Sequence, residues 1–371
     1  MLTGVQSVDQ STLMDLMTFA VNQGSNLMTF GDAGIGKTEM ALQVIAAAKR
    51  GHVYLNLSLL EAPDLIGLPM VDEKTGRAKY ALPEQFPQAN PDERGLVLLV
   101  DEIDKAKPEL QNPMLELFQF RSINGVKLNF HAILATGNLP DELAHSQTVS
   151  HALTNRCGVY RVTHSYDAWQ EWAVQAQVNP LVVGFLSQNT NLLLQRPAGG
   201  DETAYTHPTP RAWTLAARDL DATNEKTPVE FQELLVAGRV GNGAATKFKV
   251  WLEHYRHIAP KITALVKDGT HPFEKGESPS LDRVFVCGIA GADAIMEATR
   301  APLKGESKDD QQKRIYKTTK NVCGWLKTIP SEIGIGAVKS TLTMQAIGDY
   351  GLIKVPEFLE VYQKIRKAMK D

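Results

Sequence analysis

Residues 31–38 of the 371-residue chain, GDAGIGKT, combine three glycines with a lysine and a threonine. The apolar segment NLMTF precedes them and a segment of helical spacing follows, so the glycines stand where a strand turns into a helix. Glycine weakens both kinds of element, which indicates that the main chain bends closely around something outside the fold. Main-chain N–H groups and the positive end of a helix suit phosphate oxygens. The alternative is a glycine-rich turn with an ordinary surface lysine.

The spacing of this segment matches GxxxxGK[ST], the pattern of a phosphate-binding loop between a strand and a helix. In such a loop Lys37 reaches the β and γ phosphates of a nucleotide, and the Thr38 hydroxyl holds a magnesium ion. We therefore expect ATP and Mg²⁺ as cofactors. The loop residues expected to bind the nucleotide are Gly31, Asp32, Ala33, Gly34, Ile35, Gly36, Lys37, Thr38 and Glu39.

A second segment, GLVLLVDEID, ends an apolar run with carboxylates. Hydrolysis of a bound nucleotide requires one group that holds the metal and another that orients water. Asp101 is predicted to bind the nucleotide and its metal together with Thr38, and Glu102 is predicted to orient and polarise the attacking water. The alternative is an acidic strand end that caps the following helix, and this is the role assigned to Asp104.

Three further residues are candidates for catalysis. Asn138 ends the apolar segment HAILATGN, where its amide could help to place the water, although asparagine before Leu-Pro is equally typical of a turn. Arg211 follows a predicted N-cap, Thr209, and a predicted first helical residue, Pro210. A cation there opposes the helix dipole unless an anion lies nearby; a solvent-facing arginine is the alternative. Arg156 fits either an arginine supplied to a neighbouring subunit's phosphate or a structural ion pair.

The elements that position these residues alternate between strands and helices. Apolar runs predict strands at 26–30, 52–58, 96–100, 132–136 and 158–162, and helical spacing predicts helices at 12–23, 37–48 and 108–120. This alternation predicts an α/β fold with a mostly parallel, five-stranded sheet covered on both faces. Because ligands of parallel sheets bind at the carboxyl ends of strands, GDAGIGKT, DEID and GN are expected at one edge.

Two segments interrupt the alternation and are predicted to be hairpins. Residues 67–82 have a Lys-Thr-Gly turn, and residues 121–130 contain Asn-Gly, the strongest short hairpin signal. After about residue 165 the strand pattern stops and helical segments such as 167–177 and 180–186 take over. The tryptophans of this part are expected in a core rather than in a base-stacking platform.

Composition places the chain among ordinary globular proteins, with 43% hydrophobic residues and a net charge of -3. This charge gives no global case for nucleic-acid binding, although a local basic groove is compatible with it. Three widely spaced cysteines offer no disulfide framework, and no histidine pattern suggests zinc. We expect a cytoplasmic protein, since the N-terminus lacks signal-peptide features and no apolar run approaches the roughly 18 residues of a membrane span.

The order and spacing of these parts resemble an AAA+ ATPase over about residues 5–255. Two segments are similar to the MoxR branch of that family, which carries a helix-2 insert. They are EAPDLIGLP and DEIDKAKPELQNPMLELFQFRSINGVKL. The chain departs from the branch at TNRCG, which lacks an acidic residue before the arginine and an aromatic residue after it. The residues that carry the resemblance are 31–38, Asp101, Glu102, Asn138, Arg156, Thr209, Pro210 and Arg211.

The resemblance implies a division of the chain and a set of roles. It implies an AAA+ α/β nucleotide-binding domain at 1–165 and a helical lid at 166–255. Residues 256–371 are predicted only as a helical C-terminal extension, to which the resemblance carries over no function. It also implies a hexameric ring in which a neighbour completes each active site. The implied roles are Walker A for Gly36, Lys37 and Thr38, Walker B for Asp101 and Glu102, sensor 1 for Asn138, arginine finger for Arg156 and sensor 2 for Arg211.

By the same resemblance, the expected function is chaperone-like remodelling or activation of a protein client, with a companion chain that carries a von Willebrand A domain. Both hairpins are then expected to point towards a central pore or a partner. An alternative is a nucleic-acid-associated AAA+ motor or helicase loader, and another is a nucleotide-dependent switch that barely hydrolyses. The first hairpin carries nearly balanced charges, which favours protein partners over nucleic acid.

Overall fold

The computed structural model describes residues 4–88, 94–139, 149–196, 205–224, 226–273, 275, 277, 279–300, 302, 305–339, 347 and 350–368. The chain divides into two compact units, residues 1–168 and residues 169–371. The first unit contains the strands and the second is helical. The finer division at residues 165 and 255 stays a prediction.

The first unit is built on a parallel sheet. Within the described residues, six strands lie in the order β1-β10-β2-β9-β6-β3, and every neighbouring pair is parallel. The predicted α/β class is therefore confirmed, but the predicted count of five strands was one too few. The strands of the unit are β1 Gln6–Val8, β2 Asn26–Gly31, β3 His52–Asn56, β4 Leu68–Val71, β5 Ala78–Ala81, β6 Leu96–Asp101, β7 Ser122–Ile123, β8 Val126–Lys127, β9 Phe130–Asn138 and β10 Gly158–Val162.

The strand missed by sequence analysis is β1, which pairs with the edge of the sheet at β10. It has only three residues, Gln-Ser-Val, and its side chains are exposed or half-buried. A segment this short and polar carries neither the alternation nor the apolar run by which strands are recognised. Pairing with an existing edge, rather than its own composition, accounts for its conformation.

Helices flank the sheet, and their ends follow local sequence signals. Helix α1 begins after Asp9, whose carboxylate accepts the Thr12 N–H at 2.7 Å, and ends at Gly24 in the left-handed conformation. Pro108 lies in the first turn of α4, where a missing N–H costs nothing. The helices of this unit are α1 Gln10–Gln23, α2 Lys37–Ala47, α3 Ala62–Ile66, α4 Pro108–Phe120 and α5 His151–Thr154, with a 3₁₀ turn at Ile103–Lys105.

The core of the first unit lies between the sheet and α4. Strands β2, β6 and β9 are buried almost throughout, as expected for a sheet covered on both faces. Leu110, Met114 and Leu117 repeat at helical spacing along α4 and are fully buried in the same apolar cluster as Leu98 and Ile133. This packing fixes the strands whose carboxyl ends carry the candidate site residues.

Both predicted hairpins are present. Strands β4 and β5 pair antiparallel, and so do β7 and β8. The turn of the second hairpin has positive φ at Asn124 (50°) and Gly125 (77°), as its Asn-Gly sequence predicts. The Asn124 side chain also donates a hydrogen bond of 2.8 Å to the carbonyl of Ile66, at the end of the helix that leads into the first hairpin. The two hairpins are thereby joined.

The second unit is helical in its described residues and has an aromatic core. The rings of Phe185 and Phe248 lie 5.4 Å apart, and each lies 5.5–6.4 Å from the rings of Trp213 and Trp251. The Trp213 indole N–H donates to the Leu192 carbonyl at 2.7 Å. These tryptophans are core residues, as expected. The helices are α6 Tyr166–Gln175, which starts within the first unit, α7 Pro180–Gln188, α8 Pro210–Asp221, α9 Val229–Val240, α10 Asn242–Asp268, α11 Leu281–Arg300, α12 Lys308–Leu326, α13 Ser331–Lys339 and α14 Pro356–Ala368, with 3₁₀ turns at Thr190–Leu192 and Leu352–Lys354.

The segments 195–208 and 269–280 contain no helix or strand in their described residues; residues 197–204, 274, 276 and 278 lie outside those residues. Of the helices that the structure describes, none combines the length and the apolar character that crossing a membrane requires.

We predict that Asn26 fastens the start of β2 to its surroundings. Its amide donates to the carbonyls of Phe118 (2.8 Å) and Arg156 (2.9 Å), and its oxygen accepts from Arg121 (2.6 Å). Asn26→Ala should lower the free energy of unfolding by about 2–3 kcal/mol, because partly buried groups lose their partners. Urea unfolding of the full chain measures this, with Asn22→Ala, an exposed asparagine on α1, as the control. Equal losses in both variants would contradict the prediction.

Candidate functional site

The loop between β2 and α2 has the geometry of a cradle. Gly34 (φ 75°) and Gly36 (φ 91°) adopt the left-handed conformation that glycine tolerates. A Cβ on Gly31 would lie 2.6 Å from Val162 Cγ1 and 3.0 Å from the Val162 carbonyl, so close packing against β10 also requires glycine there. A Cβ on Gly36 would meet nothing within 4 Å. The loop is therefore packed on its sheet side and open beside the N-terminus of α2, whose first N–H groups have no partners within the helix.

Lys37 is buried at the base of this loop, with only 8% of its surface exposed. Its ammonium group donates to the carbonyls of Gly31 (3.0 Å) and Asp32 (2.8 Å) and to the side-chain oxygen of Asn138 (3.0 Å). The side chain thus folds back over its own loop and reaches the end of a neighbouring strand. This geometry excludes the ordinary surface lysine considered as the alternative.

Asp101, at the end of β6, is the centre of a cluster of hydroxyl groups. Its Oδ2 accepts hydrogen bonds of 3.0 Å from both Thr38 and Tyr54. Its Oδ1 accepts from the Thr136 hydroxyl and, at 3.0 Å, from the main-chain N–H of Glu102. The structure therefore brings Thr38 and Asp101 together, as the sequence predicts.

Sequence analysis missed Tyr54 and Thr136 as members of this cluster. Thr136 is a polar residue within the apolar run HAILATGN, which is a signal that sequence analysis could have used, and the structure buries it fully. Tyr54 lies on β3, which pairs with β6 in the register Asn56↔Asp101. Only the pairing of these strands brings the two side chains together, so no comparable sequence signal exists for Tyr54.

Glu102 has an unusual main chain. Its φ of 55° and ψ of 43° place a non-glycine residue in the left-handed region, at a cost of about 1–3 kcal/mol. The hydrogen bond from its N–H to Asp101 helps to hold this conformation. Its side chain is half-buried beside the cluster around Asp101. Strained residues of this kind concentrate at functional sites, because a fixed side-chain direction is useful there.

Asn138 and Asp104 form a third part of the site. Asn138 ends β9 opposite Gly31 in the register of the sheet, and its main-chain N–H donates to Asp104 Oδ1 at 2.8 Å. The prediction that Asp104 caps a helix is wrong. Helix α4 has Lys107 at its N-cap without a side-chain hydrogen bond, and the 3₁₀ turn Ile103–Lys105 instead holds Asp104 in the interior, 2% exposed.

Arg156 lies away from these residues in its own chain. Its carbonyl is bound by Asn26, at the start of β2, whereas Lys37 follows the end of that strand. Its guanidinium donates to Gln119 Oε1 (2.7 and 3.0 Å) and to the Ala152 carbonyl (2.5 Å). These partners are an amide and a carbonyl, not the carboxylate of a structural ion pair. The role of Arg156 towards a neighbouring subunit stays a prediction.

Arg211 belongs to the second unit. The predicted start of its helix is confirmed, since the Thr209 hydroxyl accepts the Ala212 N–H at 3.0 Å and Pro210 is the first residue of α8. Arg211 is exposed on the first turn of that helix. Its predicted role at a nucleotide stays a prediction.

The pKa values of Tyr54 and of the three cysteine thiols are raised above their ordinary values. Burial, and then the charge of Asp101, raise the pKa of the Tyr54 phenol above its ordinary value of about 10. Burial raises the pKa of the thiols of Cys157, Cys287 and Cys323 to about 12. These thiols are therefore protonated at neutral pH and are unsuited to nucleophilic chemistry.

The residues fit the cofactors that the sequence predicts. A hydroxyl and a carboxylate, from Thr38 and Asp101, are the hard oxygen ligands that Mg²⁺ prefers, and they lie in contact. The open side of the loop at Gly36, the N-terminus of α2 and the ammonium group of Lys37 together provide the donors that an anionic phosphate chain requires.

Comparison with known proteins gives only weak similarities. No protein-family model matches the chain, and no curated protein matches it either. A putative ATPase from Cytophaga hutchinsonii is 13% identical, with 96% of this chain and 90% of that chain covered and a TM-score of 0.32. NtrX from Brucella abortus in complex with ATP is 15% identical (84% and 68% covered, TM-score 0.35), and the RuvB Holliday junction branch migration motor from Thermotoga maritima is 14% identical (70% and 76% covered, TM-score 0.35). A functional assignment therefore depends on the geometry of the site.

The contact between Tyr54 and Asp101 can be tested by alkaline titration. The raised pKa means that the folded protein retains the Tyr54 proton above pH 10, so this contact contributes stability below that pH and loses it as the pH rises through the folded pKa. Asp101→Asn removes the neighbouring charge and should lower the Tyr54 pKa. Difference absorbance of tyrosinate measures the shift.

Two further variants make this titration specific. Tyr54→Phe identifies the step that belongs to Tyr54, and Asp72→Asn, in the first hairpin, is the matched control that should leave this step in place. An unchanged Tyr54 titration in Asp101→Asn would show that the contact is absent.

Proposed function

We propose that this chain is an ATP-hydrolysing AAA+ motor whose first unit binds Mg·ATP at the carboxyl edge of its sheet. The observation that carries the proposal is the convergence of Lys37, the Thr38–Asp101 pair, Glu102 and Asn138 at that edge. These are the groups that phosphoryl transfer to water requires: a cation for the phosphates, a metal site, a carboxylate for the water and a polar group to place it.

Each residue of the site has a definite task in this proposal. Lys37 exchanges its carbonyl partners for oxygens of the β and γ phosphates, and the loop amides bind the same phosphates. Mg²⁺, when held by Thr38 and Asp101, supplies positive charge that offsets the charge of the phosphates. Glu102, fixed by its main-chain conformation, orients and polarises the attacking water, and Asn138 helps to place it.

The finer assignment is a MoxR-type motor that forms a hexameric ring and remodels or activates protein complexes, with a partner that carries a von Willebrand A domain. The surface of the first hairpin supports a protein client. Leu68, Met70, Val71 and Tyr80 are 42–68% exposed on this hairpin, and an apolar patch of this kind is typical of a protein-binding site. The charged residues at its tip are nearly balanced, which gives no support to the nucleic-acid motor considered above.

The hydrolysis proposal is tested with Glu102→Gln and Lys37→Ala. Glu102→Gln should lower ATP turnover by about 10²–10⁴-fold while nucleotide binding persists, because the water loses its base and the phosphate site is intact. Lys37→Ala should weaken nucleotide binding itself. Phosphate release and calorimetry with Mg·ATP measure the two effects, and Glu73→Gln and Lys74→Ala, exposed on the first hairpin, are matched controls. Absence of Mg·ATP binding in the wild type would overturn the proposal.

The proposed role of Arg156 in a neighbouring subunit predicts complementation. Arg156→Ala should bind nucleotide but lose turnover, because its own site keeps Lys37 and lacks only the neighbour's arginine. Mixing inactive Arg156→Ala with inactive Glu102→Gln subunits should restore part of the turnover, at sites that combine an intact Glu102 with an intact Arg156.

Arg161→Ala, an exposed arginine on β10, is the control and should hydrolyse ATP without mixing. Failure of the mixture to regain turnover, in samples where mass measurements detect mixed oligomers, would contradict this role of Arg156.

A further inference from the structure

Asp104 is a buried carboxylate beside the candidate site, and it is not among the residues that act directly in the proposed hydrolysis. It lies in the 3₁₀ turn that begins directly after Glu102, and its side chain is almost completely enclosed. Its Oδ1 accepts the main-chain N–H of Asn138 at 2.8 Å. Burying a carboxylate is costly unless it is paired and hydrogen-bonded, so a residue of this kind needs a specific reason to be there.

The packing around Asp104 is tight on the side that faces β9. A Cβ on Gly137 would lie 3.1 Å from Asp104 Oδ1, 2.9 Å from the ring of Phe30 and 2.8 Å from Ile103 Cγ2. Only glycine therefore allows the end of β9 to approach the carboxylate this closely. The position of Asn138 is set by the hydrogen bond from its main-chain N–H to Asp104 and by the close packing of the preceding residue, Gly137, against the same carboxylate.

The second oxygen of Asp104 has a different environment. Oδ2 is buried and accepts no hydrogen bond from the described residues, while the ammonium group of Lys105 lies 4.0 Å away. The nearby positive charge offsets part of the desolvation cost. The Asn138 N–H is thus hydrogen-bonded to one oxygen of the carboxylate, and the Lys105 charge lies near the other.

We propose that Asp104 is the positioning residue that holds Asn138 in place, so that the Asn138 side-chain oxygen meets Lys37. The path consists of two hydrogen bonds in series, from Asn138 N–H to Asp104 and from Lys37 to Asn138 Oδ1. Because the turn that contains Asp104 begins directly after Glu102, one short segment carries the water-polarising carboxylate and holds the end of β9. This inference rests on the proposed hydrolysis, to which Asp104 contributes without touching the nucleotide.

The first test uses Asp104→Ala and Asp104→Asn. Asp104→Ala removes the acceptor of the Asn138 N–H and should lower kcat for ATP about 10–100-fold, with little change in KM. This is the range typical of a residue that orients another residue of the site through a hydrogen bond. Asp104→Asn keeps an oxygen acceptor and should restore most of kcat. Asp72→Ala is the matched control, because Asp72 accepts main-chain N–H groups in the first hairpin and should leave turnover unchanged. Equal kcat in Asp104→Ala and wild type would overturn the inference.

The second test needs no nucleotide. Hydrogen exchange of a peptide that contains residues 130–139 should accelerate at the Asn138 amide in Asp104→Ala and stay slow in Asp104→Asn. Unchanged exchange in Asp104→Ala would also overturn the inference. Should the alanine variant fail to fold, Asp104→Leu replaces the carboxylate with an apolar side chain of similar size and takes its place in both tests.

A double substitution separates positioning from general structural damage. If Asp104 acts through Asn138, Asp104→Ala combined with Asn138→Ala should turn over ATP no more slowly than Asn138→Ala alone. If the fold-losses in turnover of the two single variants multiply in the double variant, Asp104 has an independent role and the inference is overturned. Failure of the proposed function has a different signature, because the wild type would then not hydrolyse ATP while the exchange difference at Asn138 would persist.

Discussion

The burial of one ammonium group imposes the central constraint on the first unit. Removing a lysine head from water costs several kcal/mol unless oxygen acceptors surround it. Lys37 meets this requirement with carbonyls from its own loop and with the amide of Asn138 on the adjacent strand. The arrangement requires β2 and β9 to be neighbours in register, and it requires glycine at position 31, where the loop leaves the sheet. In the proposed function, phosphate oxygens would replace these carbonyl oxygens, so binding would not need to remove the Lys37 ammonium group from water.

The Asp101 carboxylate is likewise held in place by several hydrogen bonds. Hydroxyl groups from α2, β3 and β9 all approach its carboxylate, and the following main-chain N–H does so as well. A side chain held from so many directions loses little further freedom when a ligand arrives, which is the benefit of a preorganised polar site. The strain at Glu102 fits this pattern, because a fixed neighbour makes an unfavourable main-chain conformation tolerable.

Much of this architecture could be predicted because its signals are local. The glycine loop, the apolar strands, the Asn-Gly turn and the Thr209 cap each specify a conformation within about ten residues, and the structure agrees with each of them. Tyr54 and Asp104 could not be assigned in the same way. Their partners lie on other strands, 47 and 34 residues away, and only the order and register of the sheet bring them together. Strand β1 was missed because pairing with the sheet edge, not composition, makes it a strand.

The hydrogen bond between Asn124 and Ile66 has a mechanical consequence. It ties together two protruding segments, one of which is part of the connection between the strand that ends at Asp101 and the strand that ends at Asn138. A displacement of the first hairpin would therefore act on the second, which lies between α4 and β9 in the chain. The segments that follow the two hairpins are also paired, at Gln88 and Leu128, so the hairpins are held together by more than one contact.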